Sequence, residues 1–382
     1  MVHNSRSAFL FLMLAGATSL ACNPVFAQHG DDRDKDRSPA VFVMTNAVDR
    51  NEVIAYARNA DGTLREERHF ATGGRGSGGN NDPLESQGSL TLTQDHSQLL
   101  AVNAGSGEIS LFRVHGSDLD LRDRVSSGGS EPNAIAQHGD LVYVLNTGGS
   151  SNVAGFRLQY GELTPIENSL RFLSTNTSGA ASLAFSPNGQ FLAVTERLTN
   201  SIDVFIVQSD GTLSPIVINP SVGPGVFSLT FAPNGTAIVS ETGAAGVPNG
   251  SAASSYSIQS NGTLSAITAS APTLGAANCW DEVTPDGRFA YFSNAGSSTI
   301  SGFAIGANGT LTPLPGTVVG HNPAGATNLD IAVSGDGKFL YTLNALVGTV
   351  GIFSIQNDGT LILVGSAGGI TPKSGFNGIA AE

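Results

Sequence analysis

The sequence predicts an all-β fold, a seven-bladed β-propeller, and three observations support this prediction. A turn containing Asn-Gly or Asp-Gly recurs before an apolar strand, as in "SPNGQFLAVTE" (186–196) and "TPDGRFAYFSN" (284–294). An Asn or Glu ends that strand in seven units, which are spaced 43 to 57 residues apart. Glycine is abundant at 48 residues and charged residues make up only 13%, a mix typical of many short strands joined by tight turns.

Each unit contains four predicted strands. An inner strand leads through the Asn-Gly or Asp-Gly turn into a second strand, and a third strand is followed by a "GTL" element that opens a fourth. The turns are expected because Asn, Asp and Gly supply the positive φ angles of tight hairpins. The same explanation covers "NGT" at Asn234, Asn261 and Asn308, which also match the glycosylation pattern. The marker residues that end the second strands are Asn46, Asn103, Asn146, Glu196, Glu241, Asn294 and Asn344.

The two ends of the repeat region complement each other. The first unit has no inner strand, because "AVFVMTN" (40–46) is already its second strand. The chain finishes with "GFNGIAAE" (375–382), an inner-strand sequence without a unit of its own. We therefore predict that this C-terminal strand joins blade 1 and closes the ring, which removes exposed sheet edges.

The N-terminal region is predicted to lie outside the propeller. Arg6, the apolar run 8–21 and the small-residue site "VFA" (25–27) are typical of a signal peptide spanning residues 1–27. Residues 28–39 are expected to form a flexible polar spacer, and residues 40–382 the propeller. The mature protein should be secreted or periplasmic. Cleavage after Ala27 would remove Cys22 and leave Cys279 without a disulfide partner.

The net charge and the hydropathy of the sequence exclude several classes of binding partner. The net charge is −13, which argues against nucleic acid or an anionic membrane as a partner. No apolar run beyond the leader approaches the roughly 18 residues that a membrane helix needs. We expect a monomer that needs no cofactor. A divalent cation at the channel mouth, held by Glu196, Glu241 and nearby amides, stays open.

The repeat motifs resemble those of the propeller lactonase family, which includes 6-phosphogluconolactonase-like proteins and carboxymuconate cyclases. The likeness rests on "SPNGQFLAVTE", "TPDGRFAYFSN", third strands such as "SIDVFIV" and "TISGFAI", and the "DGTLSPI" and "NGTLTPL" elements. It covers nearly all of residues 40–382. It implies a seven-bladed propeller and a lactone-directed hydrolase or cyclase.

Several positions depart from what the resemblance implies. Family members often carry a Glu and a His on the inner strand before this turn, and an Arg after the following "SN". Here Trp280 stands at the Glu position, Glu282 at the His position and Ala295 at the Arg position. The chain also has "SGAAS" (178–182) ahead of another turn where the family often has His.

Propeller geometry selects the candidate site residues. The start of each inner strand and the end of each second strand lie on one face, so residues there should surround one mouth of the central channel. Lactone hydrolysis needs a base that activates water and a donor that stabilises the oxyanion. The loops carrying Glu85 and Glu131 join this mouth. The candidate catalytic residues are Glu196, Arg197, Glu241, Asp281, Glu282 and His321, and the candidate substrate-binding residues are Trp280, Asn328 and Asp330.

Each candidate also has a structural interpretation. Glu196 and Glu241 replace the Asn of other blades and would then only accept hydrogen bonds in a turn. Arg197 could hold a substrate oxygen or be solvated, and His321 could be an incidental loop residue. Trp280 could line the channel mouth as a ligand platform or merely plug it. Asp281 occupies a slot that is apolar in other blades, so it would be either a group with a raised pKa or a hydrogen-bonded structural carboxyl.

Two functions follow from these patterns. One is a secreted lactonase-like hydrolase or cyclase acting on a small lactone or sugar-acid substrate at the channel mouth. The other is a non-catalytic extracellular propeller that binds a protein or glycan through its loops. The glycine-rich stretch 70–88 would be a mobile flap or a solvated insertion. A compact pocket at the mouth that holds Glu196, Arg197, Trp280 and a second carboxylate favours the enzyme, whereas a flat or plugged mouth favours the binder.

Overall fold

A computed structural model describes residues 38–382, apart from the side chains of 66 and 67. The predicted signal peptide, and the spacer up to residue 37, lie outside the described residues. The described part consists of strands and turns without a helix, and 29 strands form seven antiparallel sheets. Six sheets have four strands, and one has five because its outer strand is split. The prediction of a seven-bladed β-propeller is confirmed.

The strands are numbered β1 to β29 in chain order and grouped here by blade, each blade from its inner to its outer strand. Blade 1 contains β29 (Ile379–Ala381), β1 (Ala40–Met44), β2 (Glu52–Arg58) and β3 (Leu64–Ala71). Blade 2 contains β4 (Leu90–Leu92), β5 (Gln98–Asn103), β6 (Glu108–His115) and β7 (Asp118–Ser126). Blade 3 contains β8 (Ser130–His138), β9 (Leu141–Gly148) and β10 (Asn152–Gln159), followed by β11 (Glu162–Pro165) and β12 (Arg171–Phe172), which both pair with β10.

The remaining blades follow the same pattern. Blade 4 contains β13 (Ala180–Phe185), β14 (Phe191–Glu196), β15 (Ser201–Ile206) and β16 (Val217–Pro220). Blade 5 contains β17 (Val226–Phe231), β18 (Ala237–Glu241), β19 (Ala252–Ile258) and β20 (Leu264–Pro272). Blade 6 contains β21 (Asn278–Val283), β22 (Phe289–Asn294), β23 (Thr299–Ile305) and β24 (Leu311–His321). Blade 7 contains β25 (Asn328–Val333), β26 (Phe339–Asn344), β27 (Thr349–Ile355) and β28 (Leu361–Ala367).

The C-terminal strand closes the ring as predicted. β29 pairs antiparallel with β1, with Val41 opposite Ala381 and Val43 opposite Ile379. The backbone N–H of Ala40 donates to the Glu382 carboxylate at 3.0 Å. The two ends of the described chain are therefore neighbours in one blade.

Two faces of the ring matter for function. The inner strands begin on one face, called here the start face, and the Asn-Gly and Asp-Gly turns lie on the other, called the turn face. In blade 6 the Asp286 Oδ1 accepts the backbone N–H of Arg288 at 3.1 Å. Gly287 follows with φ +70°, the left-handed conformation that favours glycine there.

Buried tyrosines join neighbouring blades through the "GTL" turns. The Tyr341 hydroxyl of blade 7 donates to the Gly62 carbonyl of blade 1 at 3.0 Å. The Tyr291 hydroxyl donates to Gly359 at 2.8 Å in the same way. These tyrosines are fully buried, so each bond satisfies a polar group that water cannot reach.

A search of the described residues for a helix long and apolar enough to cross a membrane found none.

Candidate active site

The inner strands surround a central channel and turn their unpaired edges toward its axis. Each second strand ends at an Asn or Glu marker. In every blade, one inner-strand residue pairs with the second-strand residue three positions before that marker, so these seven inner-strand residues lie at the same height in the channel. These seven residues, called here the channel ring, line one cavity of ≈ 560 Å³. They are Ile379, Thr91, Ala136, Ala184, Thr230, Glu282 and Ala332. Glu282 is the one ionisable member of these seven.

Glu282 is partly buried in the channel wall of blade 6. Burial, followed by the nearby charges of Asp281 and Asp330, raises the pKa of its carboxyl to about 8. A carboxyl in a weakly solvated site disfavours its charged form. Glu282 can therefore hold a proton near neutral pH and act as a base once that proton is lost.

Asp330 lies beside Glu282 on blade 7 and is 3% exposed. It occupies a bulge in its inner strand, with a φ of +59°. Its Oδ1 accepts the backbone N–H of Ile331 at 2.9 Å, and its Oδ2 accepts that of Ile379 at 3.2 Å. Burial raises the pKa of Asp330 to about 8. Asp330 therefore lines the cavity and also ties blade 7 to the closing strand of blade 1.

Asp281 is fully buried between blades 5 and 6. The Ser228 hydroxyl donates to its Oδ1, while its Oδ2 has no partner among the described residues. Burial raises the pKa of Asp281 to about 7. The carboxyl sits behind the channel wall, because Asp281 is not among the residues that line the cavity.

A segment between blades 1 and 2 closes the channel at the start face. Residues 82–88, called here the crossing segment, reach the inner strands of several other blades. The Gln87 backbone N–H donates to the Ala181 carbonyl of blade 4 at 2.9 Å. The Gln87 side chain pairs with the backbone of Asp281, accepting its N–H at 3.0 Å and donating to its carbonyl at 2.8 Å. Gln87 therefore forms the inner end of the cavity.

Further contacts hold the crossing segment in place. The Trp280 indole N–H donates to the Ser86 carbonyl at 2.9 Å. The Ser86 hydroxyl donates to the Asn133 carbonyl of blade 3 at 2.7 Å. At the beginning of the segment, Asp82 accepts the Asn377 side-chain amide at 2.9 Å, and burial raises the pKa of Asp82 to about 6.

Arg197 and Trp280 hold this segment rather than line the cavity. The Arg197 guanidinium forms an ion pair with Glu85 of the crossing segment, and it lies 5.9 Å from the centre of the Phe227 ring. Trp280 is 1% exposed and packs edge-on against Phe227 at 5.3 Å between ring centres. The expectation that these two side chains line an open mouth is corrected: Trp280 is buried beneath the crossing segment, and the Arg197 side chain, 29% exposed, pairs with Glu85 of that segment.

Glu196 lies inside blade 4 and is fully buried. The Ser174 backbone N–H donates to its Oε1 at 2.9 Å, and the Thr199 hydroxyl donates to its Oε2 at 2.6 Å. The group facing it from the third strand is Asp203, which is also fully buried. No described residue donates a well-formed hydrogen bond to either Asp203 oxygen. An ionised Asp203 would be a second buried charge beside Glu196, so its protonated form, which can donate to Glu196, is favoured.

The pKa values of Glu196 and Asp203 are shifted in opposite directions. Burial, followed by the hydrogen bond and the charge of Glu196, raises the pKa of Asp203 to about 9. The pKa of Glu196 is lowered: burial acts against this, and hydrogen bonds from Asp203, Ser174 and Thr199 outweigh it. Other blades place an uncharged pair here, such as Asn294 donating to the Ser301 hydroxyl at 2.8 Å.

Glu241 has the same kind of place in blade 5. The Ser254 and Ser270 hydroxyls donate to its two oxygens at 2.5 Å and 2.7 Å. Glu196 and Glu241 therefore lie in different blades, and each carboxylate accepts hydrogen bonds from residues near it rather than from the other site. The expectation that both point into the channel mouth is corrected: the side chain that ends a second strand points along its own sheet, one strand away from the channel.

Asn328 and His321 are also placed away from the cavity. Asn328 is fully buried and donates to the Thr299 carbonyl at 3.1 Å and to the Ser293 hydroxyl. His321 is exposed at the end of β24, the outer strand of blade 6, opposite Thr299. The structure thus brings together Glu282 and Asp330 in the channel wall, with Asp281 directly behind them.

Sequence reasoning missed two residues that line the cavity. The sequence places Gln87 in a mobile flap or solvated insertion, and no local pattern indicates that it reaches the channel. His96 lies at the opposite, turn-face rim and has φ +56°. Aligned on the turns, His96 stands where blades 4 to 7 have Gly189, Gly235, Gly287 and Gly337. That replacement was visible in the sequence.

The described residues contain no group of three or more His, Cys, Asp or Glu side chains that could hold a metal ion. The carboxylates of Glu196 and Glu241, the candidate cation ligands in the sequence, accept hydrogen bonds within two separate blades.

The sequence matches the family described as "Lactonase, 7-bladed beta-propeller" over residues 44–173, 150–278 and 282–374. No curated protein matches the chain.

Several solved structures share the fold. A candidate 6-phosphogluconolactonase from Bacteroides uniformis superposes with a TM-score of 0.67 at 19% identity, covering 90% of this chain and 100% of that one. The periplasmic gluconolactonase PpgL of Pseudomonas aeruginosa gives a TM-score of 0.65 at 18% identity, covering 90% of this chain and 98% of that one. At such identities the likeness concerns the fold alone.

Proposed function

Because the chain belongs to the lactonase family of seven-bladed β-propellers, we propose that it hydrolyses a small cyclic ester inside the central channel. The observation that carries this proposal is Glu282, the one ionisable side chain in the channel ring. The other six residues of the channel ring have no ionisable side chain, so Glu282 is the member of the ring that can act as a general base.

In the proposed reaction, the Glu282 carboxylate takes a proton from a water molecule, and the oxygen of that water attacks the lactone carbonyl. Negative charge then develops on the carbonyl oxygen. Backbone N–H groups on the unpaired inner-strand edges are the donors available to stabilise it. When the ring C–O bond breaks, the proton on Glu282 passes to the departing alkoxide. The product is a hydroxy acid, and Glu282 is a carboxylate again.

Access to this site is from the turn face. Gln87 closes the inner end of the cavity, whereas Pro187, Pro233 and His96 form its rim at the other end. The proposed site is therefore the turn-face half of the channel, and not the start-face mouth that the sequence predicted.

Charge narrows the proposed substrate class. Among the described residues that line the cavity, none is Lys or Arg, and the carboxyls are Glu282 and Asp330. A lactone bearing a phosphate or carboxylate would find no Lys or Arg partner, and it would be repelled by Glu282 once that carboxyl loses its proton for catalysis, which is costly. We therefore propose a neutral lactone, such as an unphosphorylated sugar lactone.

We also propose that the protein is exported, as the signal-peptide pattern in residues 1–27 predicts. A non-phosphorylated substrate is consistent with a location outside the cytoplasm. Edman sequencing of the mature protein purified from the periplasm or medium should begin after Ala27. An unprocessed protein retained in the cytoplasm would contradict this.

The reaction is tested with a panel of neutral lactones and their phosphorylated or carboxylated counterparts. We expect turnover of at least one neutral lactone, with kcat/KM rising as the pH passes about 8 because Glu282 must lose its proton. Glu282→Gln should lower kcat at least 100-fold, the usual weight of a general base. The matched control is Glu162→Gln on the exposed outer strand of blade 3, which should leave activity unchanged. Turnover that survives Glu282→Gln would refute the mechanism.

The second candidate function is a non-catalytic binding propeller, and the closed start face favours it. The crossing segment, held by Arg197 and Trp280, fills the mouth where the sequence placed the active site. Absence of turnover for every lactone in the panel, with the protein correctly folded, would favour this candidate over hydrolysis.

A further inference from the structure

A second cavity lies on the turn face, between blades 4, 5 and 6. It has a volume of ≈ 650 Å³ and is called here the turn-face groove. Turns between first and second strands form one side, and turns between third and fourth strands form the other. Pro187 and Pro233 line both this groove and the channel cavity, so the two openings adjoin.

The groove is polar and uncharged. None of the described residues that line it is Asp, Glu, Lys, Arg or His. Its polar side chains are amides and hydroxyls, and its apolar surface comes from Pro187, Pro233, Phe191 and two isoleucines. An ionic ligand would find no partner here, whereas a neutral polar ligand would.

The turns themselves do not require this neutrality. In each turn an Asn or Asp Oδ1 accepts the backbone N–H two residues on, at 3.0 Å for Asn234 and 3.1 Å for Asp286. Either residue type serves that role equally well. Away from the groove, one equivalent position is Asn261 and six are aspartates: Asp61, Asp95, Asp210, Asp286, Asp336 and Asp358. The three such positions that line the groove are all asparagines: Asn188, Asn234 and Asn308.

Asparagine adds a donor that aspartate lacks. Asn188 uses its Nδ2 to donate to the Gln190 side chain at 3.0 Å. The Nδ2 groups of Asn234 and Asn308 have no acceptor among the described residues, and both residues are exposed. Two amide donors are therefore free on opposite walls of an uncharged groove.

We propose that the turn-face groove binds a neutral oligosaccharide. Sugar hydroxyls accept from amide Nδ2 groups and donate to amide and hydroxyl oxygens. The C–H faces of the sugar rings pack on the exposed proline rings. A charged anchor of a peptide ligand would find no ionic partner among the described residues that line the groove. This binding is independent of any reaction in the channel.

The test uses a steric block with a matched control. Ala307 lies in the groove wall, in the turn "GANGT" (306–310), and is exposed. Ala60 occupies the same position of the turn "NADGT" (59–63) on blade 1 and is also exposed. Ala307→Trp fills the groove, while Ala60→Trp makes the same change elsewhere. Thermal unfolding of both variants establishes that they are folded.

Binding is measured by calorimetry and saturation-transfer NMR with cellohexaose, maltohexaose and isomaltohexaose, and with hexagalacturonate as the charged probe. We expect at least one neutral hexaose to bind the wild type and Ala60→Trp equally, and to bind Ala307→Trp at least tenfold more weakly. Hexagalacturonate should bind at least tenfold more weakly than that hexaose. Three results would each overturn the proposal: no binding of any neutral hexaose, unchanged binding by Ala307→Trp, or equal binding of hexagalacturonate.

Discussion

Replacing Asp203 with asparagine should remove much of the pH dependence that the Glu196–Asp203 pair gives to folding stability. Both carboxyls are fully buried, and the raised pKa of Asp203 beside the lowered pKa of Glu196 favours one proton on the pair in the folded protein. The pKa of Asp203 is about 9 in the folded state, against an ordinary value of 3.8. The folded state therefore keeps a proton that the unfolded chain has released. The stabilisation is complete below pH 3.8 and declines as the pH rises toward 9.

The size of this effect follows from one proton. Between pH 5 and pH 8 the folded pair binds about one proton more than the unfolded chain, so the free energy of unfolding should fall by about 1.4 kcal/mol per pH unit. Over these three units the pair accounts for up to about 4 kcal/mol. In Asp203→Asn, an amide N–H takes over the donation to Glu196 without a titrating proton. The variant should resemble the wild type near pH 5 and be more stable at pH 8.

Guanidinium unfolding at half-unit steps from pH 5 to pH 8.5 measures these slopes. The other carboxyls are common to both proteins, so the difference in slope isolates Asp203. Asp210→Asn is the matched control: Asp210 is exposed in a turn of the same blade, and Asn261 and Asn308 already occupy equivalent positions. Its slope should equal that of the wild type. An unchanged slope in Asp203→Asn would refute the shared-proton argument.

Three further predictions concern stability and the crossing segment. Tyr341→Phe should lower the free energy of unfolding by about 1 kcal/mol, because the Gly62 carbonyl loses its buried donor. The control Tyr160→Phe, at a position 99% exposed, should leave that free energy unchanged, and equal effects of the two substitutions would contradict the prediction. Trp280→Phe removes the indole donor to the crossing segment, so amide exchange in residues 82–88 should accelerate; unchanged protection there would mean that this bond does not hold the segment. Deleting residues 375–382 should leave the protein insoluble or with a much lower melting temperature, and an unchanged melting curve would argue against closure by β29.

The fold was predictable because its determinants are local and repeated. Turn residues such as Asp286 and Gly287 fix a hairpin within a few positions, and seven copies leave little choice of architecture. The orphan strand at 375–382 followed from counting strands, and its pairing with β1 confirms that count. Both inferences depend on short-range chemistry and on the number of repeats.

The candidate site was less predictable because it depends on long-range contacts. The position of Glu196 at the end of a second strand follows from the repeat, but the direction of its side chain depends on hydrogen bonds from Ser174 and Thr199, which the repeat pattern does not indicate. The path of the crossing segment depends on partners such as Asp281, which is 194 positions from Gln87. The comparison of repeats did identify Glu282 as unusual, because a departure from a pattern is visible without knowing its contacts.

Ring closure by the last strand also has a consequence for the order in which the protein folds. The bond from Ala40 to Glu382 joins residues 342 positions apart, about five doublings longer than a ten-residue hairpin loop. At about 0.6 kcal/mol per doubling, bringing these ends together costs about 3 kcal/mol more chain entropy than a local hairpin. Such distant contacts also slow folding. The strands β1 to β3 are synthesised before the other blades, yet their blade is completed last. The inner edge of β1 therefore stays unpaired until β29 has been synthesised and pairs with it.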